Sequence, residues 1–386
     1  MDQLTALLAQ AIRNNQAPFV VGAVANSSGL VWTGSAGEEQ VGRLLDGNTV
    51  FRIVSMSKAV GVTAAAILAD RGKLNWETPV EDILPEFGKL GVLVDPSVPK
   101  LRPPKTKATL RHLATHTSGL VYGFWDKNIA DYLQATGLPP VVSGLKASLA
   151  CPLAFDPGDR WQYGPGVDWL GLVIEALDGR SIDLFCSQEI FEPLGMNDTS
   201  FELTSKLVDR LVPAFGRSSE GSFTGAPINV DPPPHPEFYG MGHALYSTAN
   251  DYMRFLRMWL NRGQLEGVRM LSENTVGSFL ENHIGPLRLQ KLHTALPIAV
   301  EDLVMLPNYS KSHSLGFARM EENIPGMRSK GSQFWGGVLN THFWFDPERD
   351  LAAVLMTQLL PFLDPEFMVL LTDFEQAVYR IQTSGT

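Results

Sequence analysis

Apolar residues follow two different periods along this chain. Residues 18–35, FVVGAVANSSGLVWTGSA, form two short apolar runs separated by Asn26, Ser27, Ser28 and Gly29, which predicts a β-hairpin. Near the other end, apolar runs at 337–345 and 351–359 are broken at Asp346, Pro347 and Glu348, which predicts a second hairpin. The segment from Pro365 to Ile381 instead repeats at near-helical spacing, through Phe367, Met368, Leu371, Phe374, Val378 and Ile381, and the N-terminal MDQLTALLAQAIRNNQ reads as an amphipathic helix. One sheet built from both chain ends and covered by the terminal helices accounts for these four elements.

The middle of the chain is helical in period. Residues 167–179, 184–195 and 247–263 carry the 3.6-residue repeat, with Gly179 and Gly263 at C-cap positions and Thr248 and Asp251 placed as an N-terminal box. Between helices lie long Pro- and Gly-rich stretches such as 213–240, which must either line a functional cleft or hide short strands. The expected class is α/β, with a discontinuous α/β region (1–74 and 301–386) and a mainly helical region (75–300).

Candidate chemistry appears where this pattern is most apolar. FRIVSMSKAVGVTAAAILADRGKL predicts a long helix that opens at Ser55, ends near Gly72 and is buried on most sides. Lys58 follows Ser55 by three residues and so returns to the same helix face. Desolvation would lower the lysine pKa and free its amine to accept the serine proton. Ser57 faces elsewhere, and a second SxxK, Ser143 to Lys146, sits among Pro139, Pro140 and Gly144, where a long buried helix is not expected.

A second cluster, FDPGDRWQYGPGVDW, places Tyr163 on a loop before a helix, where a nearby ammonium would favour its anionic form. A third, Trp335-Gly336-Gly337-Val338, is expected at the start of the strand leading through Phe343, where paired glycines let a ligand approach the backbone. The N–H groups of Ser55 and Val338 would then form an oxyanion hole. Each cluster alone has a plainer reading: SxxK is common, Tyr163 suits a packed aromatic, and the glycines suit a bend or bulge.

Composition narrows the field. With 31 basic and 41 acidic residues the net charge is −10, and the basic stretch from Lys100 to Arg111 is a short loop interrupted by prolines, so nucleic acid is not an expected partner. No signal-peptide pattern and no uncharged apolar run of about 18 residues is present, so no membrane association is expected. Two cysteines, Cys151 and Cys186, without redox spacing read as cytoplasmic thiols. His112 and His116 stand four apart without an HExxH glutamate, and neither a metal nor a cofactor is expected.

Taken in order, SMSK (55–58), LRHLATHTSGL (110–120), WQYGPGVDWLG (161–171), IFEPLGM (190–196), GHALYSTANDY (242–252) and WGG (335–337) resemble the family VIII carboxylesterases of the class C β-lactamase and D-alanyl-D-alanine peptidase superfamily. They are also similar to the acyltransferases of statin precursors. The resemblance spans about residues 15–380. It implies a β-lactamase-like antiparallel sheet flanked by helices beside a helical domain, with the active site in the cleft between them.

The same resemblance implies Ser55 as the acylated residue, Lys58 and Tyr163 as its proton-transfer partners, and an oxyanion hole closed at Gly337 and Val338. His116, Gly119 and Asp168 are expected to support the site. Trp335, Gly336, Gly337, Tyr122, Phe124 and Trp125 are the expected substrate contacts. Two departures bear on substrate. Pro165 stands where penicillin-recognising relatives place an asparagine, and Trp335 stands in place of a lysine suited to a carboxylate. Small neutral, short-chain esters are therefore the expected substrates, with water or an alcohol as acyl acceptor. The alternatives are an acyltransferase, a β-lactamase or D-alanyl peptidase, and a non-enzymatic binding module.

Overall fold

A computed structural model of the chain describes residues 2–38, 44–95 and 100–384. The elements that frame the site are α1 (Asp2–Arg13), β1 (Phe19–Ala25), β2 (Leu30–Gly37), α2 (Ser57–Asp70), α3 (Gly166–Asp178), α4 (Ala249–Leu260), β3 (Lys311–His313), β4 (Ala318–Met320), β5 (Gln333–Gly337), β6 (Thr341–Asp346), β7 (Leu351–Met356) and α5 (Pro365–Ser384). The strands form one antiparallel sheet in the order β3-β4-β5-β6-β7-β1-β2. The chain ends meet where β1 pairs with β7, Val21 opposite Met356.

Helices cover both faces of this sheet, which is why β1, β6 and β7 are buried along their whole length and read as continuous apolar runs. Successive residues of β6 nevertheless serve opposite faces. Trp344 meets Phe374 of α5 at 6.1 Å, whereas Phe343 meets Tyr252 of α4 at 5.2 Å and Phe345 stacks on Trp259 at 6.4 Å. These aromatics lock α4 to the sheet although it lies within the 75–300 span expected to form the helical region. We keep the two-region division as a proposal with α4 counted on the sheet side.

One strand assignment needs correction. Trp335-Gly336-Gly337 is not the start of the strand through Phe343: it ends a separate strand, β5, which pairs with β6 so that Trp335 lies opposite Phe343. Asn340, with φ of 58°, reverses the chain between them. Residues 213–240 do both things expected of them. Phe215–Arg217 and Phe223–Gly225 pair as short strands, and residues 228–232 line a cavity.

The second hydrophobic layer is built on α2, buried from Ser57 to Leu68, which packs on α3. α3 stops at Gly179 in the left-handed region, and the Thr248 side chain caps α4 by accepting from the Asp251 N–H at 3.1 Å. Among the described residues no helix is long and apolar enough to cross a membrane.

Candidate active site

Ser55 does not open the α-helix directly. It sits in a 3₁₀ turn, Val54–Met56, and α2 begins at Ser57. Val54 has φ of 45°, a costly conformation for a β-branched residue, and the turn is held from both sides. The Ile53 N–H donates to the Leu245 carbonyl (3.1 Å), and the Tyr252 hydroxyl donates to the Met56 carbonyl (3.0 Å). The result is a partly exposed Ser55 facing a cavity, while Ser57 is fully buried and its Oγ accepts from the Leu245 N–H at 3.1 Å.

Lys58 is buried. Its Nζ reaches Ser55 Oγ (3.3 Å), the Tyr122 hydroxyl (2.9 Å) and the Gly242 carbonyl (2.7 Å), three partners for the three donors of an ammonium. Burial lowers its pKa to about 7, partly opposed by the carboxylate of Asp168. A neutral amine keeps two donors and gains one lone pair. The Gly242 carbonyl can only accept, so the lone pair must face a hydroxyl, that of Ser55 or Tyr122.

Tyr163 lies on the loop before α3 with its ring 4.8 Å from Lys58 Nζ. Its hydroxyl lies close enough to Ser55 to feel its side chain and accepts from Trp335 Nε1 at 3.2 Å. Burial holds its pKa above the ordinary tyrosine value, so it keeps its proton at neutral pH. Trp335, an expected substrate contact, is not among the residues lining the cavity at Ser55; its indole N–H is aimed at the tyrosine oxygen.

The other expected residues divide by position. Tyr122, Phe124 and Val338 line the cavity together with Ser55. Trp125 stands behind them: its indole N–H donates to the Glu301 carbonyl (3.0 Å), its ring faces Tyr163 at 5.6 Å, and it is not among the cavity-lining residues. Gly336 and Gly337 are buried in β5. His116, at φ of 57°, sets its ring 4.7 Å from Tyr163 and 6.3 Å from Trp335, and burial keeps it neutral by lowering its pKa well below the ordinary value.

Gly119 has φ of +92°, and a Cβ there would fall 2.3 Å from the Phe155 carbonyl oxygen. Asp168 is fully buried in the first turn of α3 and accepts from the Gly242 N–H at 2.8 Å. His112 does not join His116, because its Nδ1 accepts from the Thr109 N–H as part of a helix cap.

The cavity has a volume of about 410 Å³. Half of its lining comes from residues 139–142, 228–232 and 295–300; of these, 228–232 fall in the stretch expected to line a cleft, whereas 295–300 carried no signal in the sequence pattern. Among the described residues the lining includes one acidic side chain, Asp231, paired with Arg52 at 2.5 Å, and no lysine or arginine. Arg328 is bound to Glu375 inside the fold and Arg160 lies over the Phe155 ring.

The β-lactamase family model matches residues 4–373. The chain belongs to the β-lactamase family. It is similar to lovastatin esterase of Penicillium rubens, 29% identical over 89% of this chain and 88% of that protein. It is similar to the same degree, 29%, to monacolin J acid methylbutanoyltransferase of Aspergillus terreus, over 88% of this chain and 84% of that one. Among solved structures it superposes on unliganded simvastatin synthase (LovD) of Aspergillus terreus with a TM-score of 0.83 at 26% identity, covering 99% of this chain and 98% of that one. The fold is β-lactamase-like, and the chain is an enzyme of a family whose members are serine hydrolases or acyltransferases.

With Lys58 as the proposed base, activity is tied to pH with a definite sign. Only the neutral amine accepts a proton, so kcat/KM for a neutral ester should fall below pH of about 7 by a factor of ten per unit. A profile from pH 5 to 9 checks this. A rate that stays level down to pH 5 would exclude Lys58 as the base.

Proposed function

We propose that this enzyme is a serine carboxylesterase that hydrolyses small neutral carboxylic esters through an acyl intermediate on Ser55. The observation that carries the reading is the meeting of Ser55 with a buried, pKa-lowered Lys58 at an apolar cavity. In the first step neutral Lys58 takes the Ser55 proton while Ser55 Oγ bonds to the ester carbonyl carbon. The oxyanion is held by the N–H groups of Ser55 and Val338. The carbonyl re-forms, the C–O bond to the alcohol breaks, and the alcohol leaves with a proton passed from Lys58 through Tyr163. Water repeats the sequence to release the acid.

The SxxK, tyrosine and WGG set supports placement among the family VIII carboxylesterases, and two free thiols support a cytoplasmic setting. The cavity widens the expected substrate range, since about 410 Å³ lies within the roughly 300–1,000 Å³ that accepts drug-sized ligands. Bulky apolar acyl or alcohol groups therefore fit beside short chains. A second reading, transfer of the acyl group to a bound alcohol, is favoured by the same spare volume and by the transferase among the relatives. Adding a bulky apolar alcohol and measuring ester product against free acid separates the two.

Charge should matter more than chain length. An acidic side chain in the lining and no basic one disfavour a carboxylate beside the scissile bond, whose unpaired burial costs several kcal/mol. Matched neutral and carboxylated p-nitrophenyl esters should differ by about a hundredfold or more in kcat/KM, and β-lactams should turn over slowly. Intact-mass detection of an acyl adduct on Ser55 tests the shared intermediate, and equal rates on the matched esters would defeat the charge argument.

A further inference from the structure

We propose that Asp168 is a positioning residue that supplies the counter-charge for the Lys58 ammonium formed during acylation, with Gly242 holding both groups. The inference rests on the acyl-Ser55 reading and adds to it the group that sets the charge state of the base.

The geometry is built around one residue. The Gly242 N–H donates to Asp168 Oδ1 (2.8 Å), and the Gly242 carbonyl accepts from Lys58 Nζ (2.7 Å). A Cβ at 242 would meet Asp168 Oδ2 at 2.8 Å, Oδ1 at 3.0 Å and the Tyr122 oxygen at 3.1 Å, so the backbone passes between the carboxylate and Tyr122 with room for glycine alone. Asp168 has no exposed surface, and its Oδ2 is buried without a hydrogen-bond partner among the described residues.

A buried carboxylate with an unused oxygen is costly and calls for an explanation. Anchoring Gly242 requires only one accepting oxygen, which a neutral amide would provide equally well. The negative charge is what remains unexplained by packing.

The other titratable groups facing Lys58 do not provide that charge. From the 120s loop and the loop before α3 come the Tyr122 and Tyr163 hydroxyls, both held protonated by burial. From neighbouring turns come the His116 and His243 imidazoles, both lowered by burial. His243 Nδ1 lies 3.7 Å from Asp168 Oδ1 and has no hydrogen-bond partner of its own. When the Ser55 Oγ–H bond breaks and the proton joins the Lys58 amine, the new ammonium lies in a low-dielectric pocket where Asp168 is the carboxylate that opposes its desolvation. The proton then leaves with the alcohol, and the pair returns to its starting charge.

Asp168→Asn tests this by removing charge while retaining an oxygen for the Gly242 N–H. Without the carboxylate the ammonium is less stable, so Lys58 becomes neutral at lower pH. The acid limb of kcat/KM should move down by roughly one pH unit, and the plateau kcat should fall by about ten- to a hundredfold. A plateau that falls with the midpoint unmoved would assign Asp168 a merely structural role and overturn the proposal. Asp168→Ser offers the same readout if the asparagine variant does not fold. The wild-type acyl adduct on Ser55, followed by intact mass, separates the two levels: its absence refutes the acyl-enzyme reading, whereas an adduct with an unmoved midpoint refutes only the role of Asp168.

Discussion

Ser55→Ala should lower turnover of a p-nitrophenyl ester by about four powers of ten or more and abolish the acyl adduct while leaving the fold intact. The reason is local. The strained Val54 and the hydrogen bonds to Ile53 and Met56 present the Ser55 oxygen to the cavity, and Lys58 and Tyr163 both address it. Ser57, two residues on, has its oxygen committed to the Leu245 N–H inside the fold. Ser57→Ala should therefore keep the nucleophile and cost about 1–3 kcal/mol of stability by orphaning that N–H, measurable by thermal unfolding. Ser143 lies in a separate 3₁₀ turn, Val141–Ser143, with no residue buried, and its replacement should retain the adduct. Rapid turnover by Ser55→Ala would remove the nucleophile assignment altogether.

What the sequence revealed of this arrangement depended on whether the signal was local. Ser55 and Lys58 are three residues apart where a 3₁₀ turn runs into an apolar helix, so their meeting follows from local helical geometry. The terminal strands were equally legible, because both of their faces are covered and the apolar run is unbroken. β3 and β4 left no such trace: Lys311–His313 and Ala318–Met320 are three-residue strands with polar members. The WGG strand was merged with its neighbour because the reversal rests on the backbone of Asn340, outside any glycine or proline signal.

At the site, the resemblance and not the spacing pointed to Tyr163, which is far from Ser55 in the chain. The Gly242 bridge was invisible for a further reason. A backbone carbonyl on Lys58 and a backbone N–H on Asp168 leave little imprint on side-chain identity beyond the glycine itself. Pro165, in the place of an asparagine of the penicillin-recognising relatives, offers Lys58 no side-chain amide, and the Tyr122 hydroxyl reaches the amine from another loop.

Tyr163→Phe should slow the reaction by about two to four powers of ten, with a dependence on leaving group that identifies its step. Lys58 has its pKa lowered to about 7 while Tyr163 is held above its ordinary value, so near neutrality the amine suits the role of acceptor and the phenol that of donor. A nitrophenolate leaves readily without a proton, whereas an aliphatic alkoxide needs one as its bond to carbon breaks. The variant should therefore lose more on an ethyl ester than on a p-nitrophenyl ester of the same acid, compared by pre-steady-state acylation rates. Trp335→Phe, which removes the indole N–H from the tyrosine oxygen together with part of the ring packed on Tyr163 and His116, should lose less on both. An equal loss on the two esters would show instead that the hydroxyl orients Ser55 and that the proton reaches the alcohol from Lys58 directly.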